Sequence, residues 1–140
     1  MKTAGYSGTP LAKKLGIKEN FKIKLLHAPD YYFDLFSDFP SNVKIIQSGK
    51  DKLDFIHYFC KNSDALRKDV PSLKKDLRHN GMIWVSWYKK SAGIPTDVTE
   101  DLVRGVALKN GLVDIKVCAV DEKWSGLKLV IPVKDRRAEL

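Results

Sequence analysis

Apolar residues recur along this chain in two rhythms, every second residue in some stretches and every third or fourth in others, and the rhythms alternate. Thr9 has the chemistry of a helix N-cap and Pro10 suits a first helical position, so Leu11 to Leu15 is expected as a short helix stopped by Gly16. Phe21 to His27 then alternates into a strand, with Lys22 and Lys24 set between Ile23 and Leu25. Asp30 is placed to cap a helix through Tyr31, Phe33, Leu35 and Phe36, which Pro40 ends. Val43 to Gln47 is a short second strand. Leu53 to Cys60 is apolar on both alternating faces, as a central strand covered by helices should be. Leu66, Val70, Leu73 and Leu77 mark one helix face opened by Ser63 or Asp64, with Pro71 restarting the helix and Asn80-Gly81 ending it. Met82 to Trp87 is another apolar strand. Thr96 or Thr99 caps a helix carrying Leu102, Val103, Val106 and Ala107, which Asn110-Gly111 closes. Val113, Ile115, Val117 and Ala119, then Leu127, Leu129, Ile131 and Val133, form an antiparallel pair around a turn from Glu122 to Gly126.

Strands alternating with helices, then a closing hairpin, predict an α/β three-layer sandwich with a mostly parallel sheet and a C-terminal antiparallel hairpin. That order resembles a truncated class I methyltransferase (Rossmann-like) fold, as an analogy of architecture. One part resists it. Ser48 to Lys52 is too short for an ordinary parallel crossover, so Val43–Gln47 either runs antiparallel to its successor or returns by a tight crossover. The 140 residues read as a single domain: an N-terminal loop and short helix over 1–20, an α/β core over 21–133 and a tail over 134–140.

Composition narrows the class. A hydrophobic fraction of 44% with 30% charged residues is that of a globular protein. Cys60 and Cys118 lie in apolar runs and form no CxxC pair, which fits buried thiols and a cytoplasmic setting. No apolar run approaches the roughly 20 residues of a membrane span, and Met1 to Gly8 lacks a signal-peptide core. The net charge of +8 is spread mostly as lysines on outer faces with acids interleaved, so nucleic-acid binding is a lesser expectation.

Ligands in open α/β sheets bind beyond the carboxyl ends of the strands. That rule selects His27, Ala28, Pro29 and Asp30 after the first strand, Cys60 and Lys61 after the central strand, and Tyr88 to Ser91 after the next. S-adenosylmethionine sites resemble a glycine-rich turn after strand one and an acid after strand two. Here Ala28 and Pro29 occupy the turn, and Gln47, Ser48, Gly49 and Lys50 follow the second strand, so no cofactor is expected. The dinucleotide fingerprint fails for the same reason. Metal binding is not expected either: His57 lies three residues from Cys60 and from Asp54, and odd spacing on a strand splits side chains between faces. Cys60 as a nucleophile would need a base such as His27 across the rim. Asp97 and Thr99 read as capping groups, and Trp124 as packing over the sheet edge.

Two loops are better candidates. Ser7, Gly8 and Thr9 precede a helix N-terminus and can present N–H groups to an anion. Trp87, Lys89, Lys90 and Ser91 combine an aromatic wall, two cations and a loop made flexible by Gly93. His27, Asp30 and Cys60 are secondary candidates on the same rim.

Three segments carry a family resemblance: GYSGTPLAKKLGIK at Gly5–Lys18, MIWVSWYKKSAGIPTD at Met82–Asp97, and CAVDEKWSGLKLVIPVKDR at Cys118–Arg136. They resemble a family of small bacterial proteins catalogued as domain of unknown function 3052, over essentially the whole chain. The resemblance implies a cytoplasmic, stand-alone domain and carries over no catalytic residue. The leading expectation is therefore a small non-catalytic domain that binds a small anionic ligand or a protein partner at Trp87, Lys89, Lys90 and Ser91. The alternatives are a divergent S-adenosylmethionine-dependent methyltransferase that holds its cofactor without glycines, and a nucleic-acid-binding accessory protein.

Overall fold

A computed structural model describes residues 8–137. The strands are β1 (Lys22–Leu26), β2 (Lys44–Ile45), β3 (Leu53–Phe59), β4 (Leu77–Tyr88), β5 (Val113–Ala119) and β6 (Trp124–Val130). They form one sheet in the order β2-β1-β3-β4-β6-β5. The first four run parallel, and β6 and β5 close the sheet antiparallel. The expected α/β architecture is thus the one the chain adopts.

The two faces of the sheet are covered very differently. Helices α2 (Ser63–Asp76) and α3 (Glu100–Lys109) lie on one face over Ile56, Tyr58, Ile83, Val85, Leu127 and Leu129. Among the described residues, the helical cover of the other face is the five-residue α1 (Leu11–Leu15) and a 3-10 turn at Tyr32–Leu35, packed with neighbouring loop residues on Ile23, Phe55, Phe59, Trp84 and Trp124. β1 shows the asymmetry directly. Ile23 and Leu25 are buried under the thin layer, whereas Lys22 and Lys24 face the side of α2, which covers β3 and β4 and leaves them partly exposed.

Hydrogen bonds pin the thin layer down. Trp84 donates its indole N–H to the Leu15 carbonyl at 2.8 Å. His57 is fully buried between Tyr32, whose hydroxyl lies 2.9 Å from Nδ1, and Ser86, whose hydroxyl lies 2.8 Å from Nε2. Phe59 stacks on the imidazole with ring centroids 4.3 Å apart. Both ring nitrogens are satisfied, so the neutral ring costs little to bury, and burial lowers its pKa to about 3.

Several local expectations are corrected. Tyr32–Leu35 form a single 3-10 turn without a side-chain cap, and Asp30 caps nothing, because the aromatic rings of Tyr32, Phe33, Phe36 and Phe39 pack edge-to-face or tilted on one another rather than along one helix face. Pro71 sits inside a continuous α2. The carbonyl it leaves without an N–H is that of exposed Arg67, which water can serve. Asn80-Gly81 lies within β4, not at the end of the helix. A Cβ on Gly81 would fall 2.8 Å from Leu77 Cδ1 and 3.0 Å from the carbonyl oxygens of Leu53 and Asp54, so the close approach of β3 excludes a side chain there. Trp124 is buried, because β6 lies inside the sheet and β5 takes the edge.

The short connection after β2 resolves as a tight parallel crossover. Ile45 is level with Ile23, and Ile23 with Phe55, so residues 46–52 need only cross β1 and retreat two positions to Leu53. That is roughly 12 Å, well within the roughly 25 Å such a segment can span.

Two outcomes follow. Gly81→Ala should lower unfolding stability by about 1–3 kcal/mol in a urea titration, the usual cost of overpacking. His57 binds a proton more readily unfolded than folded, so its stabilisation is complete above its ordinary pKa of 6.5 and is lost as pH falls toward about 3. Between pH 6.5 and 5, where carboxylates stay ionised, wild-type stability should fall by up to about 1.4 kcal/mol per pH unit. His57→Gln should flatten that slope, and an unchanged slope would show that another group titrates.

Candidate functional site

Because β1, β3 and β4 are parallel, the segments after them open on one edge of the sheet. A cleft of about 810 Å³ lies at this edge beyond β4, lined by Trp87, Lys89, Lys90, Val98, Val117 and Ser125 among others. The local sequence builds it in steps. Lys89 N–H donates to the Lys123 carbonyl at 2.8 Å, which extends the pairing with the hairpin. Residues Lys90–Ala92 make one 3-10 turn, and Gly93 leaves it in the left-handed region at φ 69°. The following loop is stapled across to the start of α2. Thr96 donates its hydroxyl to the Lys61 carbonyl at 2.8 Å, and Asp97 accepts from the Ser63 N–H at 2.8 Å and the Ser63 hydroxyl at 2.6 Å. These bonds hold the Asp97 carboxyl below its ordinary pKa. Thr99 then caps α3 by accepting from Leu102 N–H at 3.2 Å. The expected flexible loop is therefore tied down at three points.

The charges of the cleft are sorted. Glu100 and Asp101 line it, but both are engaged by Arg104, which also donates to Asp114 at 2.9 Å. Lys89 and Lys90 make no ion pair among the described residues. The cleft thus joins an apolar wall, two available cations and two neutralised acids.

The other candidates are placed less favourably. Ser91 is exposed in the 3-10 turn and does not line the cleft. Ser7 lies outside the described residues. Gly8 and Thr9 lead into α1, but the helix carries no side-chain cap from either, and its free N–H groups are not open to an anion. Ala12 and Lys13 N–H both donate at 3.0 Å to Asp38, so a carboxylate of the chain itself fills that seat. Cys60 is buried, its thiol donates to the Asn62 carbonyl at 3.2 Å, and burial pushes its pKa up, which removes it as a thiolate nucleophile. His27 and Asp30 are exposed on the rim, His27 with its ring 6.4 Å from that of Tyr58.

Sequence reasoning missed the aromatic support behind the rim. Tyr88 stacks on Trp124 at 4.1 Å, and burial together with Asp121 raises the Tyr31 pKa to about 12. The spacing of Tyr88 and Trp124 in sequence carried no hint of this; only the register of β4 on β6 brings them together.

The turn after β1 bears on S-adenosylmethionine. His27 has φ 58°, the left-handed bend that a glycine usually provides, so the backbone leaves β1 sharply without one. Beyond it, Asp30 is exposed and makes no hydrogen bond or ion pair among the described residues, which leaves a carboxylate for an ammonium group. After β2, Gln47 and Ser48 supply an amide and a hydroxyl in place of the usual acid. In turn shape and donor chemistry these residues fit the cofactor, with Pro29 removing one N–H from the cradle.

No family model matches the chain, and no curated protein matches it by sequence. Solved structures do. A protein described as a type 11 methyltransferase from Sulfolobus solfataricus is similar with a TM-score of 0.64 at 14% identity, over 92% of this chain and 94% of that one. An S-adenosylmethionine-dependent methyltransferase from Aquifex aeolicus gives 0.56 at 13% identity, over 87% and 88%. Fibrillarin from Aeropyrum pernix, with natively bound S-adenosylmethionine, gives 0.52 at 15% identity, over 91% and 71%. These neighbours overturn the expectation of a non-catalytic domain that binds an anion or a protein. The structure has the class I methyltransferase fold.

Proposed function

We propose that this chain is a divergent S-adenosylmethionine-dependent methyltransferase. The observation that carries the reading is a methyltransferase-type sheet coextensive with a methyltransferase-sized neighbour, with the sharp turn after β1 kept at His27. His27, Ala28 and Asp30 would hold the amino-acid end of the cofactor, and Gln47 and Ser48 its ribose. When bound, the cofactor supplies an electrophilic methyl group. The cleft beside Trp87 would receive the acceptor. Trp87 and Val98 exclude water from that wall, and Lys89 and Lys90 orient the acceptor by charge. The motifs at Gly5–Lys18, Met82–Asp97 and Cys118–Arg136 support membership of the bacterial family catalogued as domain of unknown function 3052. Two free thiols support a reducing, cytoplasmic setting. No described helix is long and apolar enough to cross a membrane.

Calorimetry with S-adenosylmethionine should give a micromolar dissociation constant. Asp30→Ala should weaken binding roughly tenfold or more, the loss of one charge-assisted hydrogen bond, with Tm unchanged. The Lys89→Ala/Lys90→Ala pair should keep both cofactor affinity and Tm and lose methyl transfer. No heat at millimolar cofactor would overturn the reading.

A further inference from the structure

The β5–β6 hairpin carries an arrangement of charge that the fold does not need. Lys116 and Lys128 stand directly opposite each other across the pair, on the face that α1 shares. Like charges in that position repel, with Cβ atoms about 5 Å apart. Lys128 is half-buried, and the chain leaving α1 brings Gly16 within 4.0 Å of its ammonium, counted from the position of a Cβ. Lys18 follows on the same segment. Lys14 reaches the hairpin too, donating to the Ala119 carbonyl at 3.0 Å. Lys18, Lys116 and Lys128 make no ion pair among the described residues. Burial first, then Lys116 and Lys18, lowers the pKa of the Lys128 ammonium. Asp121, one of the two acids of the hairpin turn with Glu122, is spent on the Lys123 and Trp124 N–H groups at 2.7 and 2.8 Å. Glu19, beside Lys18, pairs with none of them.

The cations also form a line along the edge of this face. β6 itself is covered between Lys128 and the rim, where Gly126 and Trp124 are buried, so the row follows β5 from Lys116 past Cys118, whose thiol lies in the field of Lys14, Lys116 and Lys89. That is roughly 13 Å of strand to the rim. At its rim end stand Lys89 and Lys123, joined by the backbone bond between them, and then Lys90 at the mouth of the cleft, which opens beyond the rim on the α3 side of the sheet. One phosphate would occupy a small part of such a row; a polymer of phosphates matches its length.

We propose that this row of lysines is a track for the phosphate backbone of a single-stranded nucleic acid, leading one nucleotide to the cleft beside Trp87. The track stands on the charge geometry alone. That the nucleotide at the cleft is the methyl acceptor rests on the methyltransferase reading above.

The test is fluorescence anisotropy of a labelled uridine oligomer of roughly 20 nucleotides, without S-adenosylmethionine. Four neutralised phosphates give a slope of about −3 in log K against log salt, so affinity should fall roughly 50-fold between about 50 and 200 mM salt. Lys116→Gln with Lys128→Gln should reduce that slope by about 1.4 and weaken binding at low salt roughly tenfold or more. Its Tm should hold or rise, since a repulsive pair is gone. Lys116→Glu alone, on the exposed edge strand, should weaken binding without touching the core. RNA affinity that is absent at low salt, or equal in wild type and variants, overturns the track. So does lysine-dependent binding to phosphatidylserine vesicles without RNA binding. RNA binding as described with no heat from S-adenosylmethionine leaves the track standing and overturns the methyltransferase reading. Cofactor binding with RNA affinity indifferent to these lysines does the reverse.

Discussion

The structure depends on how one face of its sheet is sealed by very little chain. Nine helical residues, five in α1 and four in the 3-10 turn, cover Ile23, Phe55, Phe59, Trp84 and Trp124 on that side. Apolar contact alone holds such short segments weakly, because a single turn forms few internal hydrogen bonds for the entropy it loses. Polar anchors make up the difference. Trp84 holds the end of α1, Asp38 closes its start, and Tyr32 fastens the 3-10 turn to His57 and through it to Ser86. Each anchor joins a cover segment to a different strand or loop, and cutting the Trp84 or the Tyr32–His57–Ser86 anchor leaves a buried partner unsatisfied. The rim at His27 inherits its position from this layer, since the chain passes straight from β1 through the turn to Tyr32.

The opposite face has conventional cover, and its polar groups do other work. Arg104 gathers Glu100, Asp101 and Asp114 into one surface network, and Ser63, Asp97, Thr96 and Lys61 close the loop over α2. Acids near the cleft are thereby occupied, while lysines near it are left available. The overall charge of +8 understates this separation, because local pairing cancels charge on one side of the rim and leaves it uncompensated on the other.

The strands were legible wherever burial was symmetric or strictly alternating. Leu53 to Phe59 reads as central because both of its faces are apolar, and Lys22 and Lys24 read as outward because α2 does not lie over β1. The sequence also pointed to Trp87, Lys89 and Lys90 as neighbours on one rim. What it concealed depends on partners distant in the chain. Gly81 looks like a helix stop until β3 is seen against it, and the α1 cap comes from Asp38 rather than from Thr9 beside it. Asp30 has the chemistry of a cap, but the aromatic run after it packs ring on ring and forms no helix to cap. The lysines of the hairpin are unremarkable in sequence, since only the register sets Lys116 against Lys128.

β2 touches β1 at Lys22 and Ile23 alone, so Lys24, Leu25 and Leu26 pair on one side only, with β3. The seven residues that follow β2 therefore form a seam in the architecture. Closing a longer loop costs only slowly more, and chain added beyond Ile46, which itself packs on the core, could extend the sheet beside β1. A single continuous insertion there would add strands at that edge with the remaining sheet unchanged.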